Sequence, residues 1–449
     1  MKKESLFIKL PMAIKTAVLP VVTRKKRNEK YGKYFQKYLD FLTCTDHDTI
    51  ERTSENMLTD FLIEVLPRIN FYKQYRGYKL SDFPIIDKKI VISHYNAILN
   101  GKPFITKTTS GTTGSPLPVP YNENVYQKEY AFWWYHRSYK GIKRGDRIAT
   151  IAGHKIVAAR RKNPPFWMYN HAENQLFMSS YHISSESIKH YVKKLNEFRP
   201  IFLHGFPTSI FLLAREIRRQ KLEVKFRPRM IVGASETTHD FQREEIERAF
   251  NCKYYIWYGN AEFAGHITEC EYGKLHSQNF HSWIRLIKRD GHDAAAGEEG
   301  EIVATNFTNT CFPLVNYNTH DIAKLSNVQS CECGRGGKIF DYIVGRDDDY
   351  IITPEKRLVT RLGYLVTNID TVLNAQVEQY SIEKLKIRLV VDGNYTEADE
   401  KKILKEARDR LGNTIEIEFD YVDSIDREEN GKYRYVKQHM GPTKMWALY

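Results

Sequence analysis

The stretch Thr108-Thr109-Ser110-Gly111-Thr112-Thr113-Gly114-Ser115-Pro116 holds only hydroxyl residues, two glycines and a closing proline. Gly111 and Gly114 permit backbone conformations with positive φ, so consecutive N–H groups can turn inward and bind an anion. The hydroxyls add short donors that reach phosphate oxygens without bulk. The stretch is not the Walker phosphate loop, because the Gly-Lys-Ser/Thr ending is missing. The same composition also suits a flexible surface loop, and these residues alone leave both readings open.

Outward from this loop, short β-rich runs alternate with amphipathic stretches. Residues 147–152, 201–204, 230–233 and 254–257 read as strands; 187–198, 209–220 and 240–250 read as helices. Strand–helix–strand spacing predicts an α/β layered domain. Residues 1–100 read as a mainly helical leader. After Asp348 the pattern restarts, with a strand at 384–391, a helix at 397–411 and a strand at 414–421. The expected organisation is a large multi-layer domain over 1–345 and a small α+β domain over 346–449.

A chain of 449 residues is too long for one ordinary core. The 68 basic against 55 acidic side chains give a net charge of +13, which favours anionic partners or simply a solvated basic surface. No apolar run reaches the length that spans a bilayer. The best candidate, Leu6 to Val22, is interrupted by Lys9, Pro11 and Lys15; it suits either contact with a membrane surface or a first helix packed on its own domain. The expected location is the cytoplasm, and the expected state a monomer or homodimer. Six cysteines in this length make no disulfide scaffold.

Further motifs follow the loop in order: Trp257-Tyr258-Gly259-Asn260-Ala261-Glu262, Asn316-Tyr317-Asn318-Thr319-His320-Asp321, Gly345-Arg346-Asp347-Asp348-Asp349 and Asn430-Gly431-Lys432-Tyr433-Arg434. With Ser110–Pro116 they resemble the adenylate-forming enzymes, above all the phenylacetate–CoA ligase branch with its CapK-type proteins. The stretches 205–209 and 233–236, the second containing Ser235, are also similar to that branch. The resemblance spans about 340 residues and is weak over 1–100. It implies that Thr109, Ser110, Gly111, Thr112, Thr113 and Gly114 grip the phosphates of ATP. It implies further that Ser235, Tyr258 and Gly259 lie by the nucleotide and that Glu262 serves Mg²⁺. Asp321 would accept from the ribose hydroxyls, Arg346 would lie near ribose and phosphate at an interdomain hinge, and Lys432 would be the adenylation lysine. One departure stands out: His320 occupies the family's glycine position.

Cys331-Glu332-Cys333-Gly334-Arg335 resembles the Cys-x-Cys-Gly-Arg of the same branch, which often carries an upstream Cys and His, here Cys270 and His276. The four imply a structural Zn²⁺ site. The expected reaction is attack of a carboxylic acid on ATP to give acyl-AMP, then transfer to coenzyme A or to an amine, with a place in surface polysaccharide synthesis among the outcomes. Two competing readings are a nucleotide-binding relative without turnover and a zinc-braced basic protein that binds nucleic acid or glycan. The ordered motifs favour the ligase, with no nucleic-acid partner. Trp133, Trp134 and Tyr135, with Phe206 and Pro207, suit either an acyl pocket or the core.

Overall fold

Alternation along single strands explains the layered architecture. In Met230–Ala234, Met230 and Val232 join one buried cluster, while Ile231 joins another on the opposite face. A strand covered on both faces must be apolar at every position rather than at every second one. A computed structural model describes residues 12–440, except 76, 78, 110–115, 155, 158–160, 347–350, 355–357, 360, 361, 367, 368 and 428–432. Most of the phosphate-loop motif, Asp347–Asp349 and Lys432 therefore lie outside the described residues.

The described residues open with helices α1 (Met12–Lys30), α2 (Lys33–Cys44) and α3 (His47–Asp60), then the short α4 (Lys88–Ser93) and α5 (Tyr95–Ile98). Asp46 caps α3 by accepting from the Thr49 N–H at 2.8 Å, as an N-terminal carboxylate does. Strands β1 (Ile105–Thr108) and β2 (Pro118–Tyr121) form an antiparallel hairpin. Its connecting loop is the Ser/Thr/Gly stretch, and α6 (Glu123–Ser138) follows. Then come β3 (Ile148–Ala152), β4 (Trp167–Asn170), β5 (Gln175–Ser179), α7 (Ile188–Phe198), β6 (Phe202–Gly205), α8 (Pro207–Arg219), β7 (Met230–Ala234), α9 (Asp240–Phe250) and β8 (Tyr254–Gly259). Strands β5, β3, β6, β7 and β8 run parallel in that order. Helices α7, α8 and α9 cover one face through Tyr191, Leu213 and Phe250; α2 and α6 cover the other through Phe35 and Trp134. Gly205 is required where β6 ends, because a Cβ there would lie 1.8 Å from the Ile151 carbonyl oxygen.

Beyond β8 the alternation stops. Residues 260–346 hold six strands and no helix: β9 (His266–Glu269), β10 (Leu275–Ser277), β11 (Trp283–Ile287), β12 (Glu299–Thr305), β13 (Tyr317–Leu325) and β14 (Ile339–Arg346). They extend the same sheet to twelve strands, ordered β11-β12-β13-β14-β10-β9-β8-β7-β6-β3-β5-β4. Here the structure departs from the uniform strand–helix alternation expected up to residue 345. Apart from the step from β10 to β11 at the far edge, consecutive strands are sheet neighbours, so no crossover helix is needed between them.

By internal contacts the chain divides into two units, 1–235 with 246–343, and 236–245 with 344–449. The second unit carries β15 (Ile351–Ile352), β16 (Leu358–Val359), β17 (Val372–Ser381), β18 (Lys384–Val391), α10 (Glu397–Leu411), β19 (Glu416–Tyr421) and β20 (Val436–Gln438). Its main sheet runs β19-β18-β17-β20. Ile403, Ala407 and Leu411 of α10 pack on Leu385, Ile387 and Leu389 of β18. These residues recur at helical spacing on one element and at period two on the other, which makes this an α+β unit.

Candidate active site and cysteine–histidine cluster

Strand β13 lies four places from β8 in sheet order, yet the two meet through side chains. Tyr258 Oη, near the end of β8, donates to Asp321 Oδ2 at 2.6 Å. The antiparallel half of the sheet therefore curls back on itself, an extreme of the usual twist. A Cβ on Gly265 would touch Ala304 and Ile302 of β12 at 3.5 and 3.6 Å, showing the same closure. Asp321 is 8% exposed. Its own N–H donates to Thr319 Oγ1 at 3.1 Å, and Thr319 Oγ1 donates to the Ile302 carbonyl at 2.9 Å. A buried carboxylate held this way presents its oxygens in a fixed orientation.

Glu262 follows β8 in a turn and is 3% exposed. Tyr317 Oη donates to Glu262 Oε1 at 3.2 Å, and Asn306 Nδ2 donates to the Glu262 carbonyl at 2.8 Å. Tyr121 Oη, from the end of β2, donates to the neighbouring Ala261 carbonyl. The second and third motifs thus come together on one side of the curled sheet. Tyr317, Thr319 and Asp321 are the alternate, buried positions of β13. Their period-two spacing is the signal that would have added Tyr317 and Thr319 to the site from sequence.

His320, between them, has φ +58°. That is the left-handed region glycine favours. Its N–H donates to Asn318 Oδ1 at 2.8 Å, and its imidazole lies 3.7 Å from the Glu301 carboxylate. The backbone thus adopts a glycine-type conformation with a histidine in place. Ser235 likewise has φ +71° immediately after β7. Thr109, at the start of the loop, is buried; its N–H donates to the Leu117 carbonyl and its Oγ1 accepts from the Leu117 N–H, each at 3.0 Å. Gly259 and Arg346 are the last residues of β8 and β14. Trp134 and Tyr135 are buried in the α2–α6 core, and Pro207 is buried at the first turn of α8.

Four sulfur and nitrogen donors converge where the β9–β10 hairpin meets the β13–β14 loop. Donor atoms of Cys270, His276, Cys331 and Cys333 all lie within 4.8 Å of one another. Cys270 Sγ and Cys331 Sγ are 3.7 Å apart, and Cys333 Sγ lies 3.5 Å from His276 Nε2. Two thiolates on a tetrahedral zinc should be about 3.8 Å apart, and a thiolate and an imidazole nitrogen about 3.6 Å. No disulfide would allow the first spacing. His276 Nδ1 donates to the Gly336 carbonyl at 3.2 Å, leaving Nε2 as the ligand atom. The Arg335 N–H points at Cys333 Sγ at 3.4 Å. Burial pushes the Cys270 thiol up to about 12 and holds His276 below its usual range. The pocket is thus inhospitable to bare thiolates and suited to a cation that would stabilise them. Arg335 braces the rim, pairing with Glu271 at 2.5 Å while stacking over Tyr139 at 3.6 Å.

A second buried group was not read from the sequence. His281 Nε2 donates to Glu129 Oε2 at 2.6 Å, and His266 Nδ1 lies 3.9 Å from the same oxygen. Burial alone would raise the Glu129 carboxyl, but the His281 hydrogen bond and nearby positive groups hold it down at about 2. Burial holds His266 at about 3. Glu129 and His281 are 152 residues apart, so no local spacing announces the group.

Compared with known proteins, the chain is 30% identical to protein CapK of Staphylococcus aureus over 450 residues, covering 95% of this chain and 97% of that protein. It belongs to the CapK-type branch of the adenylate-forming superfamily. The family model of the CapK C-terminal domain matches residues 351–439. A phenylacetate-coenzyme A ligase of Pseudomonas putida is 25% identical over 256 residues, 54% of this chain and 55% of that one. In fold, the CapK-type chain is similar to a crystal structure of 2-hydroxyisobutyryl-CoA ligase in its postadenylation state with 2-HIB-AMP. The TM-score is 0.62 at 15% identity, covering 90% of this chain and 91% of the other.

Proposed function

We propose that this CapK-type ligase activates a carboxylic acid with ATP, then passes the acyl group to a thiol or amine. The observation that carries the reading is the Asp321 carboxylate, buried on β13 and held by Tyr258, in a chain of an adenylate-forming family. In the first step a carboxylate oxygen of the acid attacks the α-phosphorus of ATP. One P–O bond forms, the α–β bridging P–O bond breaks, and pyrophosphate leaves. Asp321 accepts from the ribose diol, a task suited to a bidentate acceptor. Glu262 offers the hard oxygen that Mg²⁺ on the phosphates prefers, while Tyr317 keeps it oriented. Thr109 to Gly114 donate to the leaving phosphates; Ser235, Tyr258, Gly259 and Arg346 lie by the nucleotide. The Lys432 ammonium offsets charge as it moves between carboxylate and phosphate, and a group of that kind contributes roughly 10²–10³ in rate.

Cys270, His276, Cys331 and Cys333 would hold Zn²⁺ with all four tetrahedral positions filled, so the ion would brace two loops rather than react. In the second step a thiol or amine attacks the acyl carbon and AMP departs. Coenzyme A is the proposed first acceptor; an amine on a surface-polysaccharide sugar is the competing outcome. ATP–pyrophosphate exchange across a panel of acids tests the first step. Exchange with at least one acid, abolished in Lys432→Ala, is expected. No exchange with any acid, from protein that also fails to bind ATP, would remove the reading. Mass spectrometry of products made with coenzyme A or amino sugars then decides the acceptor.

A further inference from the structure

Helix α1 turns an apolar stripe away from its own domain. Ile14, Val18, Val21 and Val22 are 46%, 37%, 66% and 44% exposed. At 100° per residue these four share an arc of about 100°. The adjoining arc is anchored. Lys15 Nζ donates to the Ile156 carbonyl at 3.2 Å, Leu19 packs against Ile156, Val157 and Met168, and Thr23 Oγ1 accepts from Asn170 Nδ2 at 3.2 Å. The helix is therefore fixed in rotation, and the stripe is held outward. Along the same axis follow Arg24, Lys25, Lys26, Arg27 and Lys30 against the single acid Glu29. Arg24, Lys26 and Arg27 are exposed.

We propose that α1 is a docking surface for an anionic lipid bilayer. The aliphatic stripe enters the headgroup boundary, and the basic run that follows pairs with lipid phosphates. A second copy of this chain is a poor occupant. Two stripes packed in parallel would bring two basic runs together, and packed antiparallel they would still join two chains each carrying +13. No described helix is long and apolar enough to cross a membrane, so the contact lies in the interface plane. One short stripe gives reversible binding.

The test is co-sedimentation of the full chain with phosphatidylglycerol–phosphatidylcholine vesicles against pure phosphatidylcholine vesicles, over a salt series. Binding to the anionic vesicles alone, weakening with salt, is expected. Each basic residue near such a surface contributes about fivefold; Arg24 and Lys26 flank the stripe, whereas Arg27 lies on the opposite side of the helix, so R24E/K26E should lower the partition coefficient by roughly 25-fold. V21E/V22E should lower it by about tenfold or more. Both variants change exposed positions, and an unchanged thermal melt shows that they fold. Equal binding to neutral vesicles, absence of binding, or full binding by both folded variants would overturn the proposal. So would V21E/V22E converting a dimer to a monomer while vesicles bind nothing.

Discussion

Acid should loosen the first unit well before its carboxylates titrate. His136 and His266 are each 1% exposed, and burial first of all holds both at about 3 against an ordinary 6.5. His204 is also held well below its usual range, again by burial first and then by the Arg137 charge. A histidine depressed in the fold stays neutral there, while the unfolded chain takes up a proton. Its contribution is therefore complete above about pH 6.5 and is lost as pH falls toward about 3. Between about pH 7.5 and 5.5 the unfolded form gains a factor of ten per histidine, about 1.4 kcal/mol each. The two residues held at about 3 give ~3 kcal/mol, a large share of a typical 5–15 kcal/mol, and His204 acts in the same direction. The assay is equilibrium urea unfolding at fixed zinc, followed by tryptophan fluorescence. The reporters are well placed: Trp257 lies 4.4 Å from the His266 ring and 5.4 Å from His136, and Trp133 lies 5.3 Å from His204. Glu129, held at about 2, acts in a separate window, from about pH 4.5 downward. A midpoint that does not move between these two pH values refutes the reasoning. So does a folded H136Q/H204Q/H266Q variant that keeps the full pH slope.

Three further outcomes follow from the site. Metal analysis should find one zinc per chain, absent in C331S/C333S with a loss of about 4 kcal/mol or more in stability; exposed Cys44→Ser should change neither. Tyr258→Phe removes a hydrogen bond to a carboxylate, commonly 1.5–3 kcal/mol, so kcat/KM for pyrophosphate exchange should fall roughly 10- to 100-fold; an unchanged value removes Tyr258 from the site. Because His320 sits at φ +58°, His320→Gly should keep exchange activity and stay within about 1 kcal/mol of the parent, whereas β-branched His320→Val should cost about 1–2 kcal/mol; equal melts for the two variants would contradict the backbone argument.

Some of this was plain in the sequence and some was not, for reasons of distance along the chain. Strands such as Met230–Ala234 and helices such as Ile188–Phe198 alternate locally, so their period and length show through. The antiparallel half did not, because the chain leaves β10 for the far edge at β11 and returns through β12 and β13, so that β14 closes on β10. The cysteine–histidine set was legible as residue types, but its convergence across 57 to 61 residues depends on that closure. Glu129, His266 and His281 were hidden for the same reason, and so was the curl that brings Tyr258 to Asp321.

The histidine at position 320 changes what a motif letter stands for. Glycine at such a place is often taken as a condition for a working site, and a pattern demanding it would discard this chain. Here the backbone turn holds with a histidine in place; Asn318 accepts from its N–H and Glu301 lies beside its imidazole. What this fold requires at the position is then a torsion angle, and glycine is only the residue that adopts it at least cost. Chains with asparagine or aspartate at that position, which also tolerate positive φ, should be sought among working relatives before they are set aside as remnants.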